Sequence, residues 1–408
     1  MLRDMTTTHP TYLCPVDGTR SPVDSLTWCC PVCRGPWDLA VDTSPVALGS
    51  LPRRVNSLWR YEEALPLSAP VTSLGEGRTP LVALTPSVSA KLDFLMPTLS
   101  FKDRGAVMLA ELARRLGPER VVADSSGNAG TAVAAYCARA GLPCTVYVPE
   151  GTSPKKTEQI RAHGARLVRV PGDREATALA ARAAADEPGT FYASHVHNPY
   201  FLHGTKTYVY ELWEDLGGRL PEAVVVPVGN GTLLLGAALA VAELYGHGLI
   251  DERPALIAVQ AEAVSPLAAA FHAGADDLPG APVTGPGPGG ENAPGAGTAT
   301  AGPGHATAGA APVMAGAAPA PTTLAEGIAI PRPPRARQIL RAVRESGGTF
   351  LTVTEDQLRA AQLDLAARGL FVESTGVACW AAVGGWTGRS AVVPLCGAGA
   401  KTGPAPAA

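Results

Sequence analysis

Short apolar runs alternate with longer amphipathic segments from about Val121 onward. "RVVAD" is typical of a short buried strand, "SSGN" of a loop, "AGTAVAAYCARAG" of a helix of small residues, and "PCTVYVP" of the next strand. "PKKTEQIRAHG" and "ARLVRV" repeat the helix–strand step, and "EAVVVPVGNGTLLLGAALAVAEL" repeats strand, loop and helix. Helices of this length between strands connect parallel strands by crossovers. The pattern predicts an α/β fold with open parallel sheets.

A segment of different composition interrupts this pattern between Ala281 and Ala320, where 34 of the 40 residues are Ala, Gly, Pro or Thr. Such a segment buries little apolar surface, so we expect a disordered insertion. The folded pattern returns at "TTLAEGIAIP", then a helix "RARQILRAVRESGG", a strand "TFLTV" and a helix that "TEDQ" opens with a capping box. We therefore predict one catalytic core formed by residues 46–272 and 322–403, with a smaller subdomain over about 103–210.

Charge and hydropathy exclude several classes of protein. A formal net charge of −3 over 408 residues gives no electrostatic footprint for nucleic acid or an anionic membrane. The most apolar stretch, Ala223–Leu244, contains "PVGNGT", which favours a buried strand, loop and helix over a membrane span. The N-terminal "MLRDMTTTHPTYLC" has no apolar core of signal-peptide length, and eight cysteines without an export signal favour a reducing compartment. We predict a cytoplasmic protein.

Four cysteines lie within the first 33 residues, in the patterns "CPVDG" and "CCPVC". Two such knuckles facing each other present thiolates tetrahedrally to zinc, as in a zinc ribbon. Asp17 stands where a cysteine would complete the first C-x-x-C. The cysteine pattern therefore predicts a zinc-ribbon-like knuckle over residues 11–40. Its zinc ligands would be Cys14, Asp17, Cys30 and Cys33, with Cys29 as a substitute. The alternative is a degenerate knuckle that binds no metal.

Lys102 follows the turn "PTLS" and opens a helix-like run in "SFKDRGA". Backbone N–H groups make the field at a helix start positive, which disfavours the ammonium form and leaves more neutral amine. A neutral lysine amine can form a Schiff base. The alternative is a solvated charge in a helix-opening turn.

Three loops are expected at the carboxyl ends of strands, where ligands of open α/β sheets bind. "SSGN" (125–128) offers hydroxyls, amides and a carboxamide to an anion, or is a plain N-cap. "VGNGT" (228–232) lets its backbone approach a phosphate but lacks the ending of a P-loop. "LCGAGAKTG" (395–403) is on its own only a strand end. With Lys102, these loops suggest pyridoxal 5′-phosphate (PLP), which needs a Schiff-base lysine, a phosphate cup and a partner for its ring nitrogen.

The motifs "GEGRTPL", "PTLSFKDRG", "SSGN", "PVGNGT", "NPYFLHGTKT" and "FVESTG" resemble those of threonine synthase and its fold-type-II PLP relatives. The resemblance covers roughly residues 74–402 without the insertion. It implies two open α/β domains with the cofactor in the cleft between them. The N-terminal knuckle is similar to a short ribbon found on some members. Members of this fold are often dimers, so a homodimer is an expectation by analogy.

The resemblance also implies the role of each site residue. Lys102 would hold PLP covalently and then remove the Cα proton of the amino-acid substrate. Asn128 would lie beside the cofactor 3-hydroxyl, while Ser125, Ser126 and Gly127 receive the substrate carboxylate. The cofactor phosphate would be held by Gly229, Asn230, Gly231 and Thr232. Cys396 would face the pyridine nitrogen, or be a small core thiol.

The resemblance implies the threonine synthase reaction, in which O-phospho-L-homoserine and water give L-threonine and phosphate. A family arginine that would attend the leaving phosphate aligns with Phe201, so another cation must replace it. Lys206 is the first candidate; the others are His195, His197 and His203, with Lys155 and Lys156 further away. "LAEGIAI" reads closer to serine/threonine dehydratases. A dehydratase or a β-replacement enzyme acting on another amino acid is therefore the alternative to a threonine-synthase-like lyase.

Overall fold

The computed structural model describes residues 10–279, 323–384 and 386–405. The strands in these ranges are β1 (Thr11–Leu13), β2 (Arg20–Pro22), β3 (Asp38–Ala40), β4 (Leu81–Ala83), β5 (Val88–Lys91), β6 (Arg120–Ala123), β7 (Cys144–Pro149), β8 (Arg166–Val170), β9 (Thr190–Tyr192), β10 (Ala223–Pro227), β11 (Ala255–Ala261), β12 (Thr349–Val353) and β13 (Ala391–Pro394). The α-helices are α1 (Lys102–Leu116), α2 (Asn128–Ala140), α3 (Pro154–Ala162), α4 (Arg174–Ala185), α5 (Tyr200–Thr205), α6 (Thr207–Asp215), α7 (Thr232–Gly246), α8 (Pro266–His272), α9 (Ala336–Glu345), α10 (Glu355–Ala367) and α11 (Ser374–Val383).

Two open sheets form the body of the molecule. The larger has the order β12-β11-β10-β13-β5-β4, and all its neighbouring pairs are parallel except β4 with β5. The smaller has the order β8-β7-β6-β9 and is parallel throughout. It lies within residues 120–192, inside the range predicted for the smaller subdomain. The predicted class, α/β with two open parallel sheets, is confirmed.

Helices cover both faces of the larger sheet. Val224 and Val226 of β10 pack with residues of α6, α7 and α9 on one face. Ala223 and Val225 pack with residues of α10 and α11 on the other. Successive side chains of a strand point to opposite faces, so a strand covered on both sides reads as a continuous apolar run. This is why "AVVVP" shows no alternation in the sequence.

The N-terminal residues form a small antiparallel sheet, β2-β1-β3, that contacts both halves of the molecule. On one side Trp28 and Arg34 donate hydrogen bonds to Asp186, just after α4. On the other side Asp38 forms a 2.8 Å ion pair with the fully buried Arg335, just before α9. The knuckle therefore spans from the smaller sheet to a helix of the larger one.

Local sequence signals explain several boundaries. Thr354 accepts a hydrogen bond from the backbone of Gln357, whose side chain accepts one in return, so the predicted capping box at the start of α10 is confirmed. Ala223–Leu244 forms β10, a loop and most of α7. Among the described residues, none of the helices is both long and apolar enough to cross a membrane. The insertion predicted at residues 281–320 lies outside the described residues.

Candidate active site

Three loops meet because they follow neighbouring strands of the larger sheet. In the order β10-β13-β5, residues 229–232 follow β10, Cys396 follows β13, and the turn to Lys102 follows β5. The backbone N–H of Phe101 donates to the carbonyl oxygen of Cys396 at 2.9 Å. Carboxyl ends of parallel strands lie at one edge of a sheet, so chemistry from distant parts of the chain is brought together there.

Lys102 is the first residue of α1, and its amine is enclosed by aromatic rings. Its Nζ lies 4.4 Å from the ring centroid of Phe101 and 5.7 Å from that of Phe201. Among the described residues it has no hydrogen-bond or ion-pair partner. Burial lowers the pKa of Lys102 to about 8, although the nearby Cys396 and Glu373 act in the opposite direction. A lysine with this pKa offers a nucleophilic neutral amine near physiological pH.

The two residues after Lys102 anchor the start of α1. The backbone N–H of Thr98 donates to Asp103 Oδ2 at 2.7 Å, and the Thr98 hydroxyl donates to the same carboxylate. Arg104, fully buried, binds Asp93 and Glu211 through two ion pairs of 2.8 and 2.6 Å. The side chains of "KDR" thus have separate tasks: the first faces the cleft and the other two hold its helix in place.

The "SSGN" loop connects β6 of the smaller sheet to α2. Ser125, Ser126 and Asn128 are half-buried and Gly127 is exposed, so their polar groups remain accessible. The Ser125 hydroxyl accepts a hydrogen bond from the Gly127 N–H at 3.3 Å. A loop of hydroxyls and backbone N–H groups at a helix start suits a carboxylate, and binding of the substrate carboxylate here stays a prediction.

The loop after β10 forms a glycine cradle at the start of α7. A Cβ added at Gly229 would lie 2.8 Å from Ile328 Cα, and one at Gly231 would lie 2.3 Å from Ile339 Cδ1. Gly231 also has a φ of +72°, which side chains other than glycine rarely adopt. The unpaired N–H groups of the first turn of α7 follow immediately, so the cradle is suited to a phosphate.

Cys396 lies between the cradle and the turn of Lys102, and it is 1% exposed. Burial raises the pKa of its thiol well above the usual value, so the group is neutral. Because it does not carry a charge, it does not force a pyridine nitrogen beside it to be protonated.

These residues fit PLP. The amine of Lys102 is enclosed without a polar partner, a glycine cradle begins α7, and the hydroxyl of Ser100 is buried without a hydrogen-bond partner two residues before Lys102. Buried polar groups are normally satisfied, so unpartnered ones beside a cradle are expected where a cofactor binds. Lys102, Asn128, Cys396 and residues 229–232 would hold it.

The side of the cleft near Phe201 is apolar and its histidines are uncharged. Phe201 is fully buried, and a Cβ at Gly105 would lie 2.4 Å from its ring, so the ring packs on the start of α1. Burial holds the pKa of His195 and His203 well below the usual value and lowers that of His197 to about 4. All three histidines are therefore neutral near pH 7, and none supplies a cation for a leaving phosphate.

Lys206 pairs with side chains of the neighbouring helices α5 and α7. Its Nζ lies 2.7 Å from Glu243 Oε1 and 3.0 Å from His203 Nδ1. Glu243 lies about three turns, roughly 16 Å, beyond Thr232 along α7. A substrate-binding role for Lys206 stays a prediction, which this buried ion pair disfavours. Lys156 pairs with Glu326, and both side chains are exposed.

Two further residues near Asn128, Glu373 and Lys401, were not predicted from the sequence. Asn128 Nδ2 donates to both carboxylate oxygens of Glu373, at 2.9 and 3.1 Å. Asn128 Oδ1 accepts from Lys401 Nζ at 2.7 Å. Glu373 lies in the motif "FVESTG" and Lys401 in "LCGAGAKTG". Both motifs stand out in the sequence and could have identified the two residues.

The four predicted metal ligands are brought together in the knuckle. The donor atoms of Cys14, Asp17, Cys30 and Cys33 all lie within 4.8 Å of one another. The backbone N–H groups of Val16 and Gly35 donate to the sulfurs of Cys14 and Cys33 at 3.4 Å each. Three thiols and one carboxylate suit tetrahedral zinc. Cys29 packs instead with Trp28 and residues of the smaller sheet. Zinc binding itself stays a prediction.

The fold and the site define an enzyme that uses PLP. The family model for "pyridoxal-phosphate dependent enzyme" matches residues 72–397, and the chain belongs to this family. The expected fold-type-II architecture and the PLP cofactor are thereby confirmed.

Two curated relatives that match most of the chain are both named threonine synthase. Threonine synthase of Methanosarcina acetivorans is 29% identical over 367 residues, which are 87% of this chain and 81% of the relative. Threonine synthase of Mycobacterium leprae is 31% identical over 351 residues, 82% of this chain and 84% of the relative. The predicted resemblance to threonine synthases is confirmed over most of the chain.

Two solved structures with the same fold are named for activities other than threonine synthase. A threonine deaminase from the organism abbreviated T.th. has a TM-score of 0.59 and 28% identity, and the match covers 79% of this chain and 92% of that one. A fungal L-serine ammonia-lyase from Rhizomucor miehei has a TM-score of 0.61 at 19% identity, covering 79% and 94%, and supports the fold alone.

Proposed function

We propose that the protein is a PLP-dependent carbon–oxygen lyase of the threonine synthase type, converting O-phospho-L-homoserine and water into L-threonine and phosphate. The observation that carries the proposal is the enclosed, unpartnered amine of Lys102 beside the cradle, in a chain similar to threonine synthases over more than four fifths of its length. Threonine biosynthesis in the cytoplasm follows as the setting, and the free thiols suit that compartment. A homodimer is part of the proposal by analogy.

In this proposal each part of the cleft has one task. Bound PLP draws electrons from the Cα of the attached amino acid, which makes the Cα proton acidic and a side-chain leaving group able to depart. Lys102, with its pKa lowered to about 8, takes the proton from Cα and returns it later. The hydroxyls and N–H groups of residues 125–127 orient the substrate carboxylate. The rings of Phe101 and Phe201 lie 4.4 and 5.7 Å from that amine and make its surroundings less polar.

A specific observation favours a second function. Phe201 occupies the position where the resemblance expects an arginine, and His195 beside it is held neutral by burial, which lowers its pKa. A leaving phosphate needs charge-assisted contacts from cations, whereas a leaving hydroxyl group needs a proton donor and departs as water. A serine/threonine dehydratase or a β-replacement enzyme therefore suits this side of the cleft.

One assay separates the two functions. Purified holoprotein is incubated with O-phospho-L-homoserine, L-threonine and L-serine, and phosphate and 2-oxo acid are scored separately. We expect phosphate and threonine from O-phospho-L-homoserine, with Lys102→Ala as the inactive control. A 2-oxo acid from serine or threonine, without phosphate release, contradicts the first function and supports the second.

If Lys206 binds substrate, Lys206→Met lowers phosphate release at unchanged melting temperature. If its task is the Glu243 pair, the melting temperature falls.

A further inference from the structure

One segment of the chain lies between the N-terminal knuckle and the candidate active site. This wall segment, residues 194–201, follows β9 and enters α5. On the side of the active site, His195 Nε2 lies 3.4 Å from Asn230 Nδ2 of the glycine cradle. The ring centroid of Phe201 lies 5.7 Å from Lys102 Nζ. The wall segment therefore lies beside both groups that would hold the cofactor, the amine and the cradle.

The backbone of the wall segment is bound by the knuckle and by the residue before α9. The N–H of Trp37 donates to His197 O at 3.1 Å. Arg335 Nε donates to Val196 O at 2.8 Å, and the same guanidinium donates to Trp37 O and to Asp38. Arg335 is buried, and a planar guanidinium holds its partners in fixed directions. It therefore ties the knuckle and the wall segment to each other.

Aromatic rings join the same two parts. The Tyr12 ring stacks on that of Trp37 at a centroid distance of 5.7 Å and meets that of Tyr200 edge-on at 6.5 Å. All three side chains are buried. Such pairs prefer particular orientations, so they fix where the rings lie as well as burying apolar area. Tyr200 precedes Phe201 in α5, so the ring contacts of the knuckle reach the residue next to the ring beside Lys102.

We propose that Trp37 and Arg335 are positioning residues, which hold the wall segment so that the Phe201 ring keeps its place beside the Lys102 amine. Both act through the wall segment and not on the amine itself. An apolar ring beside an amine disfavours the ammonium form, whereas more polar surroundings favour it. The proposal concerns Lys102 before any substrate binds, so it depends neither on the identity of the substrate nor on a metal in the knuckle.

The test has to separate position from charge. Three groups that titrate lie near Lys102: Glu373, Cys396 and, from the wall segment, His195. A variant that changed the charge nearby would shift the pKa of Lys102 by charge alone. Both variants therefore keep the charge. Trp37→Leu removes the stacked ring, and Arg335→Lys keeps the cation but loses the fork of donors that joins the knuckle to the wall segment.

The measurement is the rate at which PLP adds to the full-length chain as a function of pH. In the wild type the rate should level off near the pKa of Lys102, about 8. We expect each variant to raise the pH of the plateau by about one unit, so that addition at pH 7 slows about tenfold. Phe201→Ala should give a similar shift. Adding Trp37→Leu to it should give no further shift, because both changes act through one ring.

A matched control separates positioning from general loss of stability. Trp213→Leu makes the same substitution at a similarly buried site, in the core between α6 and the larger sheet. It should lower the melting temperature and leave the plateau at the wild-type pH. Circular dichroism checks folding, and Arg335→Lys carries the test if Trp37→Leu does not fold. The proposal is overturned if a folded variant leaves the plateau unchanged, if Trp213→Leu moves it as far, or if the shifts of Trp37→Leu and Phe201→Ala add.

Discussion

Lys102 shows how a sequence can suggest the correct group for an incomplete reason. From the sequence alone, the positive field at a helix start is the expected cause of its neutral amine. The structure identifies burial as the largest cause of its lowered pKa, with the rings of Phe101 and Phe201 around the amine. Burial disfavours the charged form of a lysine because the ammonium loses its hydration. The helix supplies the position, and the aromatic surroundings supply most of the reactivity.

This cause leads to a prediction about pH. Only the neutral amine adds to PLP, so the rate of cofactor addition to the apoprotein should rise about tenfold per pH unit below the pKa and level off above it. With a pKa of about 8, the plateau should begin near pH 8. Stopped-flow absorbance with excess PLP measures the rate, and Lys102→Ala serves as the blank. A rate that keeps rising toward pH 10.5, the ordinary lysine value, would contradict the burial argument.

The same residues show what the sequence can and cannot reveal. Lys102, Cys396 and the glycine cradle are recognisable because each lies in a local motif after a strand, and parallel strands bring their ends together. Glu373 and Lys401 are in such motifs too, but their shared partner Asn128 lies 245 and 273 residues away along the chain. Which side chains meet across two loops depends on how the loops pack, and periodicity carries no information about that. Lys206 illustrates the converse, because its position in a motif did not reveal its pair with Glu243.

At the scale of elements, the knuckle is the part whose chemistry is most open to experiment. Its three short strands and two turns bring three thiols and a carboxylate together without requiring a large core. Small units of this kind commonly depend on a structural metal, because they bury too little apolar surface. The N–H groups of Val16 and Gly35 directed at sulfur stabilise thiolates, the form that binds zinc.

We predict that the protein purified from zinc-containing medium carries about one zinc per chain. Elemental analysis measures the content. Cys30→Ser should lose most of the metal and lower the melting temperature, because Cys30 is one of the four grouped ligands. Cys29→Ser is the matched control, since the neighbouring thiol packs toward the smaller sheet. Wild-type protein without zinc would leave a metal-free knuckle as the correct interpretation, whereas equal loss in both variants would make Cys29 a ligand as well.

At the scale of the whole molecule, the chain returns to the same core after a long interval. The described residues stop at 279 and resume at 323, where the Thr323 hydroxyl and the Leu324 N–H both donate to Glu355 at the start of α10. β12, which follows, pairs in parallel with β11, which precedes. Both ends of the interval are thus held by the larger sheet and its helices.

We predict that residues 281–320 can be replaced by a short Gly/Ser linker without loss of PLP binding. Their composition contributes little burial, and loop length changes the free energy of unfolding only weakly. Bound PLP and the melting temperature measure the outcome, with the full chain as reference. A shortened protein that is insoluble, or that fails to take up PLP, would assign this segment a structural role.

The contacts of the knuckle have a mechanical consequence. It is fastened to the smaller sheet through Asp186 and to the larger one through the buried pair of Asp38 and Arg335. Another ion pair between the two halves, Lys156 with Glu326, is largely exposed. Separating exposed charges costs little, while separating buried ones costs several kcal/mol, about 3–5. By its ion pairs, the knuckle is therefore held more firmly to the larger sheet, through the buried Arg335, than to the smaller one, where the ion pair of Arg34 with Asp186 is as exposed as that of Lys156 with Glu326.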